Sequence, residues 1–311
     1  MHLAMRILCL PVVFLACLLS GAPLTAAEDA HTWPFSLRVQ MLRLAEVDWR
    51  SRVAAAAQCP RRVSGIGVMI DHAGAYAELE QKTLARTLRL GDLPQVVAVV
   101  AGSPAARSGL RPGDEIVAIG KVGMAKALMQ SPDPALFAED VTDLIEALPT
   151  DKPATLVLRR GKASLRKTVV PIPICSSRTT LETGRLLEAY SDSDDLAVTS
   201  ALIDFTENDD ELALIVGHEL AHVILNAASR TTPVEPLDLE QNADQLGALI
   251  AHCTGYDVMR AAAFWRRFDM HDELRRDRLA THPSPTQREE RLLKSLASLS
   301  CPITLPGDDT S

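Results

Sequence analysis

Residues 209–222 read DDELALIVGHELAH and are the most informative stretch of the 311-residue chain. The leading acids suit the positive end of a helix dipole, and the apolar run behind them predicts a buried helix. His218 and His222 lie four residues apart, so both imidazoles project from one face of that helix and can share a metal ion. Glu219 is placed to hold a metal-bound water and to accept its proton. Because polar groups in so apolar a helix are costly unless they are used, we interpret them as a zinc site rather than as core or solvated histidines.

The next predicted helix offers a third ligand. Its string EQNAD places Glu240 and Asp244 one turn apart on one face. If Glu240 binds the zinc ion, Asp244 can accept a hydrogen bond from a ligand imidazole. The alternative is an exposed helix with two solvated acids. Apolar neighbours on the same helix favour burial, and they are Leu239, Ala243, Leu246, Leu249 and Ile250.

The residue pattern changes between residues 63 and 174, where short β-branched segments that predict strands alternate with turn signals. Ser103 and Pro104 predict a helix start, and Gly109 predicts its end. The string from Val97 to Gly120 resembles a PDZ domain. The resemblance is carried by GSPAA at 102–106, GL at 109–110, PGD at 112–114 and IVAI at 116–119.

The PDZ resemblance implies that an extended peptide, from a substrate or a partner protein, binds as an added strand beside a helix. Its carboxylate would be held by the loop SGIG at 64–67, with Gly65, Ile66 and Gly67 as the peptide-binding residues, because glycines let backbone N–H groups converge on an anion. The sequence departs from the PDZ pattern between Asp71 and Gln95, where some two dozen residues are inserted. A spacer or docking role for this domain therefore stays open.

The remaining elements are mostly helical. We predict helices at 33–58, 139–148, 181–189, 209–228, 239–253, 258–270 and 287–299, from periodic apolar positions. Leu196–Thr199 is the one strand candidate near the metal site, and it could bind substrate by strand addition. The fold class is α+β. The predicted domains are a signal peptide at 1–27, a helical segment at 28–62, a PDZ-like domain at 63–175 and a mainly helical zincin-type peptidase domain at 176–311.

Three blocks between about residues 185 and 295 resemble the HtpX-like and CAAX-prenyl-protease-type zinc metallopeptidases, which are gluzincins of peptidase family M48. The blocks are DEL at 210–212 leading to HELAH, ExxAD at 240–244, and THP at 281–283 with Arg288. The resemblance implies zinc ligation by His218, His222 and Glu240, with Glu219 as the general base. It also implies that His282 and Arg288 face the active-site cleft, where His282 would steady the oxyanion or cap the zinc ion in a latent state.

The first residues predict export. Arg6 precedes an apolar run, and the small residues at 25–27 offer a cleavage site before Glu28. This apolar run is shorter than the about 20 residues that a membrane-spanning helix needs, and the rest of the sequence offers no other candidate for a membrane-spanning helix. We therefore expect a periplasmic or secreted protein, with a lipid anchor on Cys17 as the alternative.

Four cysteines remain after signal cleavage, which suggests disulfides in an exported protein and allows three connectivities. Our prediction pairs Cys59 with Cys175, which bracket the PDZ-like domain, and Cys253 with Cys301. Four free thiols are the alternative. None of these cysteines forms a Cys-x-x-Cys pair, so a cysteine-based zinc site is not expected.

The formal net charge of −8 and the absence of a Lys/Arg cluster give no electrostatic support for nucleic-acid binding. The predicted function is zinc-dependent hydrolysis of peptide bonds in exported proteins, with polypeptides as substrates. Cell-envelope quality control is favoured by family analogy alone. A PDZ-bearing binding module with an inactive or latent protease and a zinc hydrolase of non-peptide bonds remain as alternatives.

Overall fold

The computed structural model describes residues 33–228, 235–271 and 283–303. The predicted signal peptide, Cys17 and His282 lie outside the described residues. The helices are α1 (Phe35–Ala54), α2 (Glu78–Thr87), α3 (Pro104–Arg107), α4 (Met124–Gln130), α5 (Phe137–Glu146), α6 (Ser200–Phe205), α7 (Asp209–Ala228), α8 (Pro236–Cys253), α9 (Val258–Ala261), α10 (Phe264–Asp269) and α11 (Pro285–Ser295). Short 3₁₀ turns lie at Ala73–Ala75, Pro134–Leu136 and Leu296–Ser298.

The strands form three sheets. They are β1 (Arg62–Gly65), β2 (Val68–Asp71), β3 (Gln95–Val99), β4 (Glu115–Ile119), β5 (Val122–Gly123), β6 (Ala154–Arg160), β7 (Ala163–Val169), β8 (Ile172–Cys175), β9 (Thr179–Glu182), β10 (Ala189–Ser191) and β11 (Leu196–Thr199). The six-stranded sheet has the order β2-β3-β4-β6-β7, with β5 paired to β4. The other sheets are β1-β8 and β10-β11-β9. The fold class is α+β.

The six-stranded sheet and α5 enclose one hydrophobic core. Ile116, Leu156 and Phe137 are almost fully buried in it. Ser103 caps α3 by accepting a hydrogen bond from the Ala106 N–H at 3.2 Å, as predicted. Asp114, in the predicted turn, is fully buried and paired with Arg160 at 2.6 Å. The inserted residues between β2 and β3 form a 3₁₀ turn and α2, so they extend this unit without interrupting its sheet.

The six-stranded unit joins the rest of the chain through a two-stranded connection. β1 leads into it, β8 leads out of it, and the two strands pair antiparallel over Arg62–Gly65. A disulfide between Cys59 and Cys175 closes this connection at its base, with Cα atoms 5.4 Å apart. The second disulfide joins Cys253 to Cys301. Both predicted pairings are confirmed.

Removing the first disulfide should cost more stability than removing the second. The Cys59–Cys175 bridge closes a loop of 116 residues, against 48 for Cys253–Cys301. Cross-linking a longer loop removes more chain entropy from the unfolded state, so it stabilises the folded state more. We expect the Cys59→Ala/Cys175→Ala variant to lose about 2–5 kcal/mol of unfolding free energy. Urea unfolding of the two double variants checks the order, and a larger loss for Cys253→Ala/Cys301→Ala would contradict it.

The second hydrophobic core surrounds α7, which spans the residues predicted from the sequence. It contains buried residues of α1, α7, α8, β11 and α10. The backbones of α7 and α8 touch where Gly217 faces Gly247, because a Cβ placed at Gly217 would lie 2.5 Å from the Gly247 carbonyl oxygen. This contact places the histidine face of α7 directly beside α8.

Two sequence predictions in this unit are wrong. Residues 181–189 are not helical: the end of β9, a loop and the start of β10 occupy them. The parallel pairing of β9 with β11 outweighs the helical spacing of the apolar residues. The predicted helix at 258–270 is broken into α9 and α10.

The strand Leu196–Thr199 is found as β11, but the prediction that it binds substrate by strand addition is wrong. β11 lies in the middle of its sheet, with β10 on one side and β9 on the other, so it has no open edge to offer. The helices of the described residues include none long and apolar enough to cross a membrane.

Candidate metal centre

The three predicted ligands converge. His218 Nε2 lies 3.1 Å from His222 Nε2 and 3.5 Å from a carboxylate oxygen of Glu240. His222 Nε2 lies 3.3 Å from the other oxygen of Glu240. The histidines come from successive turns of α7, and Glu240 comes from α8. Two nitrogen donors and a carboxylate at this spacing can hold one metal ion.

Asp244 and Arg288 support this group from the side. His218 Nδ1 lies 3.0 Å from Asp244, so it can donate its proton there and leave Nε2 free to face the metal position. Arg288 of α11 donates from Nε to Asp244 at 2.9 Å. Its guanidinium lies over the Trp265 ring, 3.3 Å from the ring centroid. Arg288 Nη2 also lies 3.3 Å from His218 Nδ1, so Arg288 contacts both Asp244 and one of the candidate ligands.

Charge coupling among these residues is strong. Burial alone would lower the pKa of His218, but hydrogen bonds to Asp244 and Glu240 outweigh it and raise that pKa to about 9. Burial opposes ionisation of Asp244, yet the Arg288 charge and the His218 hydrogen bond lower its pKa to about 2. The pKa of Glu240 is also lowered, against burial, by its hydrogen bonds to His218 and His222. Glu240 is therefore ionised at neutral pH, as a metal ligand must be, whereas His218 has to release a proton when a metal ion binds.

Glu219 lies next to the donor group and contacts a strand. Ser191, the last residue of β10, donates its hydroxyl to Glu219 Oε2 at 2.9 Å. Sequence reasoning missed Ser191, because it sits in a polar stretch, SDSDD at 191–195, that is typical of a loop. The hydroxyl fixes one carboxylate oxygen of Glu219 and leaves Oε1 for other partners.

A small apolar cavity opens beside His218 and Glu219. Its volume is about 40 Å³, and Arg288 and Ala189 also line it. The remaining lining residues are hydrophobic, and they are Leu202, Ile215, Phe264, Trp265 and Phe268. A cavity of this size holds about three waters, so it suits a short apolar side chain.

The N-terminal end of α7 is anchored by ion pairs to two buried carboxylates. Arg260 pairs with Asp210, and Arg267 pairs with Glu211 at 2.5 Å. Glu211 also accepts a hydrogen bond from the Glu207 N–H at 2.8 Å. Asp210 and Glu211 thus belong to the packing that orients α7 and make no contact with the metal group.

The predicted site residues therefore divide into three sets. His218, Glu219, His222, Glu240, Asp244 and Arg288 come together in one place. His282 lies outside the described residues. Gly65 ends β1, Ile66 and Gly67 connect it to β2, and all three line a separate groove.

Comparison with known families gives two matches within the chain. Residues 181–235 match the model of peptidase family M48, and residues 95–160 match that of a PDZ domain. The chain thus carries a segment similar to a PDZ domain, followed by a segment similar to peptidase family M48. The matched segment runs from the end of β9 through β10, β11 and α7, and it includes both histidines and Glu219. Peptidases of family M48 are generally metal-dependent, and this supports a metallopeptidase.

Two of the similar solved structures each cover 36% of this chain. The HtrA-type protease AlgW with a decapeptide is 21% identical, with a TM-score of 0.28, over 36% of this chain and 30% of that one. The HtrA3 PDZ domain bound to the phage-derived ligand FGRWV is 19% identical, with a TM-score of 0.27, over 36% of this chain and 89% of that one. The chain thus spans less than a third of AlgW. No curated protein matches the chain.

Proposed function

We propose that the chain is a zinc metalloendopeptidase that hydrolyses peptide bonds of exported proteins, in cell-envelope protein quality control. The observation that carries the proposal is the spacing of the three donors. Ligands about 2.0–2.1 Å from a tetrahedral zinc ion lie about 3.3 Å from one another. The Nε2 atoms of His218 and His222 lie 3.1 Å apart, and they lie 3.5 Å from Oε2 and 3.3 Å from Oε1 of Glu240, respectively.

Each residue of the group has a role in hydrolysis. Zinc held by the three ligands would supply Lewis-acid chemistry, making water acidic and polarising a carbonyl group. Glu219 takes a proton from water on Oε1, because Ser191 holds Oε2, and delivers it to the leaving amine nitrogen. Arg288 acts as a positioning residue, since it holds Asp244, which in turn fixes the ring of His218.

A peptide substrate has an open strand edge beside this group. β10 lies at the edge of its sheet, and within the described residues only β11 pairs with it. Because β10 ends at Ser191, a strand added along β10 runs past Glu219. β10 therefore replaces the sequence-predicted β11 as the substrate strand.

Catalysis and metal dependence are tested together. The mature chain should contain about one zinc per molecule and degrade casein. Dialysis against a chelator should remove both zinc and activity, and added zinc should restore both. A chain that holds zinc but cuts esters rather than peptides would contradict the peptidase function. A chain that holds no metal would leave a PDZ-bearing binding module as the function.

The small apolar cavity predicts a substrate preference. We expect one subsite next to the cleaved bond to prefer alanine or valine over leucine by about tenfold in kcat/KM, since leucine exceeds valine by one methylene, which is worth about 1–3 kcal/mol in an apolar pocket. Phe268 lines this cavity, so Phe268→Ala should reverse the preference by enlarging it. Phe205→Ala is the control, because Phe205 packs on Phe264 but does not line the cavity. Cleavage of a peptide library by the three proteins measures the ratio, and an unchanged ratio in Phe268→Ala would contradict the assignment.

A further inference from the structure

An ion-pair cluster joins the six-stranded unit to the part of the chain that follows it. Glu146, the last residue of α5, pairs with Arg52 of α1 at 2.7 Å and with Arg178 at 2.5 Å. The Nε atom of Arg178 lies 3.2 Å from each carboxylate oxygen of Glu146. Because the Glu146 side chain is only 9% exposed, removal of this carboxylate would leave two guanidinium groups short of a partner, which is costly.

The position of Glu146 is set by the core of the six-stranded unit. Phe137, Val141 and Ile145 of α5 are buried in that core, so they fix the helix that carries Glu146. A carboxylate at the C-terminal end of a helix is opposed by the helix dipole, and the two arginines offset that cost. The anchor for Arg178 thus comes from a unit that contains none of the three converging metal donors.

The backbone of Arg178 holds the start of β11. Its N–H donates to Asp195 Oδ1 at 2.8 Å, and its carbonyl oxygen accepts from the Leu196 N–H at 2.9 Å. Arg178 directly precedes β9, which pairs in parallel with β11 from Leu196 onward. One residue therefore binds the six-stranded unit with its side chain and the three-stranded sheet with its backbone.

A tight turn at 192–195 joins β11 to Ser191. The Asp192 N–H donates to the Asp195 carbonyl oxygen at 3.0 Å, and the Asp195 N–H donates to Asp192 Oδ1 at 2.8 Å. Ser191, directly before this turn, donates its hydroxyl to Glu219 at 2.9 Å. The contact that fixes Asp195 therefore also fixes the residue that holds Glu219.

The six-stranded unit is already attached to the rest of the chain by other contacts. β1 and β8 pair, and the Cys59–Cys175 disulfide closes their base. Arg52 also donates to the Cys175 carbonyl oxygen at 2.9 Å. Attachment alone therefore does not require Arg178, and what its side chain adds is a fixed position for the starts of β9 and β11.

We propose that Arg178 is a positioning residue for hydrolysis, held by Glu146 so that Ser191 keeps Glu219 and the edge of β10 in place. This assignment rests on the proposed peptidase function. The six-stranded unit then contributes to the reaction through the end of α5, without any bound peptide. A displacement of about 1 Å at the reacting groups can cost about 100-fold in rate, so a contact remote from the metal centre has a measurable effect.

The first test is hydrolysis of a fluorogenic peptide by the full chain carrying Glu146→Gln or Arg178→Ala. Each variant should lower kcat/KM about tenfold through misplacement of the reacting groups, with its metal content unchanged. Arg178→Lys keeps an ion pair with Glu146 and should recover part of the loss. Glu139→Gln is the matched control and should keep nearly full activity, because Glu139 lies on the same helix and is exposed.

A second test asks whether Arg178 acts through Ser191. Ser191→Ala alone should lower kcat/KM about tenfold, because it removes a hydrogen bond to a carboxylate. In the Arg178→Ala background the same change should cost less than about threefold, since coupled residues are not additive.

Amide hydrogen exchange gives a readout that does not need catalysis. Residues 189–196 should exchange about fivefold faster or more in Arg178→Ala than in the parent chain, because the local opening of β10 becomes easier. Residues of α8 should exchange at the parent rate, and Glu139→Gln should match the parent throughout.

Other results would overturn the assignment. Equal losses from Ser191→Ala in both backgrounds would show that Arg178 does not act through Ser191. A loss of activity in Glu146→Gln but not in Arg178→Ala would assign the effect to Arg52, and loss of metal from Arg178→Ala would reduce its role to stability of the fold. A parent chain that holds zinc yet cuts no peptide would contradict the proposed function, whereas unchanged exchange at 189–196 would contradict the positioning contact itself.

Discussion

Glu219→Gln is expected to reduce peptide hydrolysis by about 10²–10⁴-fold, the usual contribution of a general base, while the metal content of the chain stays the same. Glutamine keeps the shape of the side chain and can accept the Ser191 hydrogen bond, but it cannot take up the proton of water. The metal should remain, because Glu219 is not one of the three converging donors.

The measurement combines steady-state hydrolysis of a fluorogenic peptide with metal analysis of the same preparations. Glu207→Gln is a matched control, since Glu207 lies just before α7 and its side chain is 66% exposed. That control should keep nearly full activity. A Glu219→Gln protein that retains more than about a tenth of the activity would assign the base elsewhere.

Gly247→Val is expected to destabilise the chain by at least about 2 kcal/mol and to weaken metal binding. A Cβ at position 247 would lie 2.6 Å from the His218 backbone nitrogen, so α7 and α8 must move apart. Asp244 lies one turn before Gly247 on α8 and would leave its 3.0 Å contact with His218. Loss of such a supporting contact typically costs 10–100-fold in metal affinity.

Chemical unfolding and a competitive zinc titration measure the two effects of this substitution. Gly123→Ala is the control, because a Cβ at Gly123 meets nothing within 4 Å, and it should change stability by less than about 0.5 kcal/mol. Normal stability and normal metal affinity in Gly247→Val would show that the helices can separate at no cost. That outcome would contradict the close approach of α7 and α8.

The helix pattern around the metal group could be predicted from the sequence because its signals are local. The acids at 209–211, the apolar run and the spacing of His218 and His222 all act within one helix. The next helix offered Glu240 as a third ligand, and the resemblance to known peptidases supported it, but nothing local shows that α8 crosses α7 at Gly217 and Gly247. The structure brings Glu240 to both histidines, and its role as a ligand remains a prediction.

The strands and the contact that could not be predicted depend on pairing between residues that are distant in sequence. Leu181 and its neighbours have apolar spacing that favours a helix, yet the parallel contact with β11 makes them a strand. The order of the three-stranded sheet decides that β10 rather than β11 has an open edge. The contact of Ser191 with Glu219 also depends on this sheet order, because Ser191 is the last residue of β10. A one-dimensional pattern carries no information on which strand lies at the edge of a sheet.

The packing of α1 has a practical consequence for dissecting the molecule. A truncated polypeptide beginning at residue 176 would keep His218, His222 and Glu240, but it would lose Leu44 and Val47 from the core around α7. The smallest self-sufficient piece that carries the metal centre is therefore discontinuous in sequence: α1 must be kept, and the excision must fall between β1 and β8. Since these strands already pair as neighbours, a short reverse turn could join them in place of the PDZ domain.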